Sequence, residues 1–235
     1  MDEFLQAKYG VGPMPTNENN ILVHVMYQLE GEEKFNAVKD LIEIHRADID
    51  LQGHGGQTAL FSIRDWEDKK LAQYLIDKGA NVNAELEDGG TPLTCYFEEE
   101  GRDIEYLEML LKAGANPNHC THPYLCTPLH YVCHEAEITL LVEYGGDINF
   151  INKDGGTPLH SLLAFGNNCH LDGDADFDVM IEEFIRLGAD LNTIKDKQGK
   201  TCMDRLQVYR EEEAKLDAEC DEEIEAMFVN KRTIA

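Results

Sequence analysis

Apolar residues recur at intervals of three and four along four stretches of the chain. This spacing places the residues of each stretch on one face of a helix, so each stretch predicts an amphipathic helix. The predicted apolar faces consist of Phe35, Val38, Leu41 and Ile42, of Leu71, Tyr74 and Leu75, of Ile104, Leu107, Leu110 and Leu111, and of Phe177, Ile181, Phe184 and Ile185. A single short helix pair cannot bury such a face, so the pattern predicts that neighbouring pairs stack on one another.

Two short strings recur in fixed order around these helices. The first occurs at Thr91-Pro92-Leu93, Thr127-Pro128-Leu129-His130 and Thr157-Pro158-Leu159-His160, with weaker copies beginning at Thr58 and Thr201. The second follows at Gly79-Ala80-Asn81-Val82-Asn83, Gly114-Ala115-Asn116-Pro117-Asn118, Gly145-Gly146-Asp147-Ile148-Asn149 and Gly188-Ala189-Asp190-Leu191-Asn192, with a relative that lacks the glycine at Ala47-Asp48-Ile49-Asp50. Successive threonines are 33, 36, 30 and 44 residues apart. Two markers with a period near 33 indicate internal repeats.

Each string has a local physical reason. A threonine hydroxyl caps free amide groups where a helix starts, and proline fits the first helical position. Glycine takes the left-handed backbone conformation with which helices commonly end. One repeat is therefore predicted to consist of two short helices, beginning at the threonine and ending at the glycine.

This combination of strings and period resembles the ankyrin-repeat family over residues 17–230. The resemblance implies an all-α fold, a solenoid of helix-turn-helix units joined by β-hairpin loops, with polar capping units at its ends. The chain then divides into an N-terminal extension at 1–16, a repeat domain at 17–230 and a tail at 231–235. The predicted units are 17–50, 53–83, 87–118, 121–149, 153–192 and 197–230.

Three units depart from the regular repeat, and specificity is expected at such irregularities. The third unit has extra residues around Glu98-Glu99-Glu100-Gly101. The fourth is short, because Cys133-His134-Glu135-Ala136 leads almost directly into its second helix. The fifth has an insertion between its helices, and we expect this 166–177 loop to project on one side of the solenoid.

The charge of the chain narrows the class of partner. Its 235 residues include 46 Asp and Glu against 20 Lys and Arg, which gives a net charge of −26. Such a charge disfavours binding to nucleic acid or to an acidic membrane surface, and it favours a basic protein. Each acidic run by itself is equally well explained as a solubility face, but solubility rarely requires so large an imbalance.

Cysteine usage and hydropathy bear on location. The seven cysteines are an odd number, which is typical of reduced thiols in a cytoplasmic protein. The N-terminal sequence has no apolar signal region, and no run approaches the ~18 apolar residues of a membrane span. We expect a cytoplasmic protein that does not bind membranes and is a monomer by itself.

The segment from His119 to His134, which is rich in cysteine and histidine, is the strongest candidate for metal binding. Within it, His130 belongs to the threonine string, and the family resemblance places Cys133 at a small buried position of the first helix. The remaining residues are His119, Cys120, His122 and Cys126. They lack the Cys-x-x-Cys and His-x3-His spacings of structural zinc sites, so no metal and no cofactor is predicted. A metal-regulated sensor built on this hairpin is the alternative from another functional class.

Other chemistry has little support in the sequence. The alternating carboxylates Asp172, Asp174, Asp176 and Asp178 match only part of a calcium-binding loop, and a solvated acidic insertion explains them better. Neither the glycine-rich phosphate-binding strings nor the Gly-x-Ser-x-Gly and His-Glu-x-x-His strings occur. An enzyme is therefore not expected.

The family resemblance implies where a partner binds, because ankyrin-type proteins generally use the hairpin tips and the exposed side of the first helices, which line a concave groove. When the family pattern is transferred to this sequence position by position, the hairpin tips are Gln52, His54, Glu85, Glu87, His122, Tyr124, Phe150, Asn152 and Lys195. The first-helix positions are Arg64, Asp65, Trp66, Glu98, Glu99, Tyr131, His134 and Phe165. We predict a partner-binding role for all of these except Gln52, His54 and Lys195.

These observations favour a non-catalytic protein–protein interaction module that binds a basic protein, with inhibition or neutralisation of that protein as one role. An adaptor or effector scaffold with a neutral partner fits the same sequence.

Overall fold

The computed structural model of this chain describes residues 2–13, 20–63, 68–98, 102–121, 123–165 and 177–211. Its helices are α1 (Asp2–Tyr9), α2 (Ile21–Gln28), α3 (Gly31–Glu43), α4 (Lys69–Asp77), α5 (Pro92–Tyr96), α6 (Ile104–Lys112), α7 (Glu135–Glu143), α8 (Pro158–Phe165), α9 (Phe177–Arg186) and α10 (202–211). Short turns of 3₁₀ helix lie at His54–Gly56, Ala59–Ser62 and Pro128–His130. The chain forms two compact units, 1–147 and 148–235.

The second helix of each pair buries the apolar face that the residue spacing predicts. The buried residues are Val38 and Leu41 of α3, Leu71 and Leu75 of α4, Leu107, Leu110 and Leu111 of α6, and Ile181 and Phe184 of α9. Ile104 and Ile185, which the spacing also assigns to these faces, are exposed. Each lies at the end of its helix, where the neighbouring elements do not cover it.

Residues 2–13 precede the predicted repeats and are nevertheless part of the first unit. Helix α1 packs on α3, and Leu5 is fully buried there. The Tyr9 hydroxyl donates a hydrogen bond of 2.5 Å to the Asp40 carboxylate, and the Lys8 ammonium donates to the same oxygen. These bonds, that from Lys8 first, lower the pKa of Asp40. The N-terminal helix thus packs on the second helix of the first repeat.

Most second helices end in the left-handed turn that the glycines predict. Gly79, Gly114, Gly145 and Gly188 have φ between 92° and 98°, and the next amide donates to the carbonyl five residues earlier. In the first repeat Arg46 takes the left-handed position, with φ of 57°. A side chain in this conformation is strained, which explains why glycine is present at the other four ends.

Asparagine side chains link each repeat to the next. In the first unit, the Asn83 side chain accepts from the Asn116 amide at 2.8 Å and donates to the Gly114 carbonyl at 2.9 Å. Asn118 makes the equivalent pair of bonds, as does Asn149 in the second unit. The asparagine that closes the second string therefore supplies one acceptor and one donor between neighbouring repeats.

The residue three positions after the threonine of each first string decides how the first helix of that repeat is capped. The pairs are Thr58 with Phe61, Thr91 with Thr94, Thr127 with His130, Thr157 with His160 and Thr201 with Asp204. In the last four pairs the threonine amide donates to the later side chain at 2.7–3.2 Å. Phenylalanine has no acceptor, and the buried Thr58 hydroxyl has no hydrogen-bond partner among the described residues.

We expect Thr127→Val to lower the free energy of unfolding by about 1 kcal/mol, because it removes the hydroxyl that lies 3.0 Å from His130 Nδ1. Thr58→Val is the matched control. It removes an unpaired buried hydroxyl at the same repeat position, so stability should be unchanged or rise by up to about 1 kcal/mol. Urea denaturation measures both variants. Equal losses of stability in the two variants would show that the hydrogen bond between Thr127 and His130 does not stabilise the fold.

Candidate functional site

Tight loops join the repeats on one side of each unit. In the first unit the Gly53 amide donates to the Gln57 carbonyl at 2.7 Å, and Leu86 to Gly90 at 2.8 Å. Loops in the second unit close similarly, from Asn152 to Gly156 and from Asp196 to Lys200, each at 2.9 Å. Within the described residues, β pairing is confined to an isolated bridge between Thr121 and Cys126. The loops are thus turns closed by single bonds.

Neighbouring loops of the first unit contact one another directly. The Glu87 amide donates to the Gly55 carbonyl at 3.0 Å, and the Gln52 side chain donates to the Glu85 carbonyl at 3.2 Å. A Cβ at Gly56 would lie 3.0 Å from the Leu86 backbone, so glycine permits this approach. The Glu85 and Glu87 side chains are exposed beside this contact.

The hairpin at 121–126 presents large side chains to solvent. Tyr124 is 58% exposed, and Leu125 is also exposed. Leu125 has φ of 55°, a left-handed conformation that is rare for a residue with a side chain, and its amide donates to the Thr121 carbonyl at 3.0 Å.

The first helix of this repeat is a single turn, Pro128–His130, after which the chain runs without helix to α7. Tyr131 is 43% exposed, and His134 is exposed. The assignment of Tyr131, Cys133 and His134 to the first helix is wrong, and so is the expected burial of Cys133. The turn has ended by then, and Cys133 is half-buried in irregular chain.

A buried ion pair lies beneath this segment. Glu137 is only 1% exposed, and its carboxylate lies 3.5 Å from the Arg102 guanidinium. The carboxylate also accepts from the Cys133 amide at 2.7 Å and from the Tyr96 hydroxyl at 3.2 Å. Burial, followed by the negative charge of Glu137, strongly raises the pKa of Tyr96. The spacing of the sequence did not single out this cluster, because its members belong to two different repeats.

The second unit contains the remaining described candidates. Ile151 is 54% exposed, Phe150 is half-buried, and the Asn152 side chain accepts from the Asp154 and Gly156 amides at 3.0 Å each. Asn152 therefore shapes its loop. Phe165 is the last residue of α8.

A buried histidine fixes the last described loop of this unit. His160 Nδ1 accepts from the Thr157 amide at 3.2 Å, and Nε2 lies 3.1 Å from the Lys200 carbonyl. Burial lowers the pKa of His160, which favours the neutral ring that these two bonds require.

Comparison with known proteins identifies the repeat. Residues 24–121 match the family model of ankyrin repeats in three copies. The crystal structure of the ankyrin repeat protein EF0377 superimposes with a TM-score of 0.65 at 27% identity, covering 81% of this chain and 92% of that one. Residues 24–121 are thus three ankyrin repeats.

Other proteins with ankyrin repeats are also similar to this chain in sequence. A putative ankyrin repeat protein of Rickettsia felis is 27% identical over 189 residues, which are 69% of this chain and 79% of the relative. A fowlpox virus ankyrin repeat protein is 28% identical over 143 residues, which are 59% of this chain but 39% of that relative.

Two further solved structures show the same fold at lower identity. An ankyrin repeat domain from Acinetobacter baumannii has a TM-score of 0.67 and 23% identity, covering 80% of this chain and 90% of that one. One chain in the structure of a predatory endopeptidase from Bdellovibrio bacteriovorus in complex with an immunity protein has a TM-score of 0.64 and 22% identity, covering 83% of this chain and 94% of that one. Ankyrin repeats indicate a protein–protein interaction module, and the fold is generally a non-catalytic scaffold.

The described residues bring together only part of the predicted ankyrin binding surface. In the first unit, Glu85, Glu87, Glu98, Tyr124, Tyr131 and His134 are all exposed. In the second unit, Asn152 and Phe150 are half-buried. Arg64, Asp65, Trp66, Glu99 and His122 lie outside the described residues, as does the 166–176 insertion, so their roles stay predictions.

Two residues of the candidate metal-binding segment have other partners. His119 Nε2 lies 2.7 Å from the Gly89 carbonyl, and the Cys120 thiol donates to the Asn118 carbonyl at 3.6 Å. Among the described residues, no three His, Cys, Asp or Glu side chains are placed to hold a metal ion. A search of the same residues for membrane-spanning helices finds none that is sufficiently long and apolar.

Proposed function

We propose that this chain binds a basic protein through its acidic loop tips and neutralises that protein by covering its surface. The observation that carries the proposal is the net charge of −26 on a fold that binds proteins. A potential of this sign attracts a basic partner over several ångströms and raises the association rate at low salt.

Ion pairs within the chain engage many of its basic residues without changing its net charge. Salt bridges of 2.5–3.7 Å engage many of the basic residues, with Lys34–Asp68 and Arg102–Glu137 both largely buried. Others engaged in salt bridges are Lys8, Lys69, Lys70, Lys78, Lys112, Arg186, Lys197 and Arg205. Since each pair is neutral, the excess carboxylates dominate the field, including those at the loop tips.

Glu85, Glu87 and Glu98 are exposed, which supports the proposal, because the family resemblance assigns them to the hairpin-tip and first-helix positions through which ankyrin-type proteins generally bind. One solved structure that contains a chain with this fold is that of a predatory endopeptidase in complex with an immunity protein, which is an assembly of two proteins. At 22% identity that structure supports the fold and leaves this chain's partner to experiment.

Affinity capture from a lysate of the source cells, at about 0.15 M and about 0.5 M NaCl, is the first test, because salt screens exposed charges. We expect one stoichiometric basic protein whose recovery falls at high salt. The purified partner is then mixed with the chain at equimolar concentration. Loss of the partner's own activity would support neutralisation, and full activity in a demonstrated complex would contradict it.

Matched charge variants locate the interaction. The variant with Glu85→Gln, Glu87→Gln and Glu98→Gln should lower the association rate constant with the purified partner about threefold to tenfold. The control carries Glu3→Gln, Glu33→Gln and Glu143→Gln, three equally exposed carboxylates on helices, and it should stay within about twofold. Equal effects of the two variants, or a salt-resistant neutral partner, would contradict the proposal and favour an adaptor.

A further inference from the structure

The repeat at 121–149 exposes an aromatic residue because its first helix stops early. Helix α5 of the preceding repeat runs from Pro92 to Tyr96, whereas the equivalent helix here ends at His130. The chain from Tyr131 to His134 is therefore not helical, and its backbone groups need partners outside a helix.

Two charged side chains supply those partners, one from just before α6 and one from the first turn of α7. Arg102 donates to the Tyr131 carbonyl at 2.9 Å and to the Phe97 carbonyl at 2.8 Å. The Glu137 carboxylate accepts from the Cys133 amide at 2.7 Å. The buried ion pair thus replaces the missing helical hydrogen bonds and holds the segment in one conformation.

The Tyr131 ring is also fixed at its hydroxyl end. The phenol has side-chain hydrogen bonds with Thr121 and Cys126. Because Arg102 donates to both the Phe97 and the Tyr131 carbonyls, the exposed Glu98, which follows Phe97, lies beside Tyr131. Arg102 holds the backbone and the hairpin holds the hydroxyl, while 43% of the residue is exposed.

Apolar area lies on the hairpin of the same repeat. Tyr124 and Leu125 are exposed there, and Leu125 is held in a left-handed conformation that glycine would adopt without strain. Strained residues of this kind persist where the surrounding structure imposes them, and they cluster at binding sites. The combination is a rigid ring, a nearby carboxylate and exposed apolar surface.

We infer that Tyr131 and Glu98 form the docking site for an arginine side chain of the basic partner. The planar guanidinium stacks on the ring face and donates to the carboxylate, while exposed side chains of the hairpin contact its apolar stem. Charge complementarity decides the occupant, since a ring beside a carboxylate on a chain of net charge −26 attracts a cation. The inference rests on the proposed function and names the chemical group that the site recognises.

The test uses a synthetic blocked peptide, Gly-Arg-Gly-Arg-Gly with acetyl and amide ends, titrated into the full chain at ~0.15 M NaCl. Lysine and citrulline versions of the peptide are titrated in parallel, and amide NMR shifts report the site. We expect shifts confined to residues 121–134 and neighbours of Glu98, with arginine bound more tightly than lysine and citrulline not bound.

Variants test the two groups separately. Tyr131→Ala and Glu98→Gln should each weaken arginine-peptide binding about twofold to fivefold, the range of exposed cation–π and ion-pair contacts. Tyr131→Phe keeps the ring and should retain most of the affinity. The controls Tyr27→Ala and Glu33→Gln remove an exposed tyrosine and an exposed carboxylate of the same unit, and they should leave binding unchanged. Glu98→Gln keeps the test valid if Tyr131→Ala unfolds the repeat.

Equal binding of the arginine and lysine peptides, with no loss in Tyr131→Ala and Glu98→Gln, would overturn the inference. So would the absence of binding by the arginine peptide. Neither result touches the proposed function, which fails separately if the captured partner is neutral and resists salt.

Discussion

Replacement of Glu137 by alanine is expected to lower the free energy of unfolding by about 3–5 kcal/mol, the cost of breaking a buried charge pair on one side. The change would leave the Arg102 guanidinium, the Tyr96 hydroxyl and the Cys133 amide without the acceptor they now share. Since Glu137 is 1% exposed, water has little access to replace that acceptor.

Graded variants separate charge from hydrogen bonding at this site. Glu137→Gln keeps an acceptor for the Cys133 amide but loses the charge, so its loss should be smaller, about 1–3 kcal/mol. Glu143→Ala, an exposed position on the same helix α7, is the control and should change stability by less than about 0.5 kcal/mol.

A double-mutant cycle with Arg102→Met measures the pair directly. Replacing both partners of a buried ion pair by apolar residues commonly costs less than the sum of the single changes. Urea denaturation followed by circular dichroism gives the four free energies. A coupling energy near zero would show that the two side chains act independently and that the ion pair does not hold the segment after His130.

Asn118→Ala has the second largest expected effect, a loss of about 2 kcal/mol. The Asn118 side chain accepts from the Asp147 amide at 2.7 Å and donates to the Gly145 carbonyl at 2.8 Å. Each net hydrogen bond contributes about 1 kcal/mol, and both link consecutive repeats. Asn118→Asp keeps the acceptor and loses the donor, so it should lose about 1 kcal/mol or slightly more.

The first repeat offers the converse experiment. Asp50 holds the equivalent position and accepts from the Asn81 amide at 2.8 Å, but a carboxylate cannot donate to the Gly79 carbonyl. Asp50→Asn supplies that donor and should raise stability by about 0.5–1 kcal/mol. Asn192→Ala, at an exposed copy of the same position, is the control and should stay within about 0.5 kcal/mol. No gain in Asp50→Asn would contradict the two-bond account of this position.

Sequence reasoning located part of the candidate site but missed the side chains that hold it in place. Tyr124, Tyr131 and Glu98 follow from repeat register, because each repeat places its tip and first helix at the same offset from the threonine. Arg102 and Glu137 have no such signal. A buried glutamate on an acidic helix looks like any other surface carboxylate until the chain folds.

The sequence by itself determined the repeat, the positions of most helices and the glycines that end them, because these depend on residues three to five positions apart. The tertiary structure alone decided where helix α1 packs, and that the first helix of the repeat at 121–149 stops at His130. Those features depend on contacts between residues about thirty positions apart, such as Arg102 with Tyr131. Such residues are close in space but far apart in the sequence, so no local sequence pattern reveals their contacts.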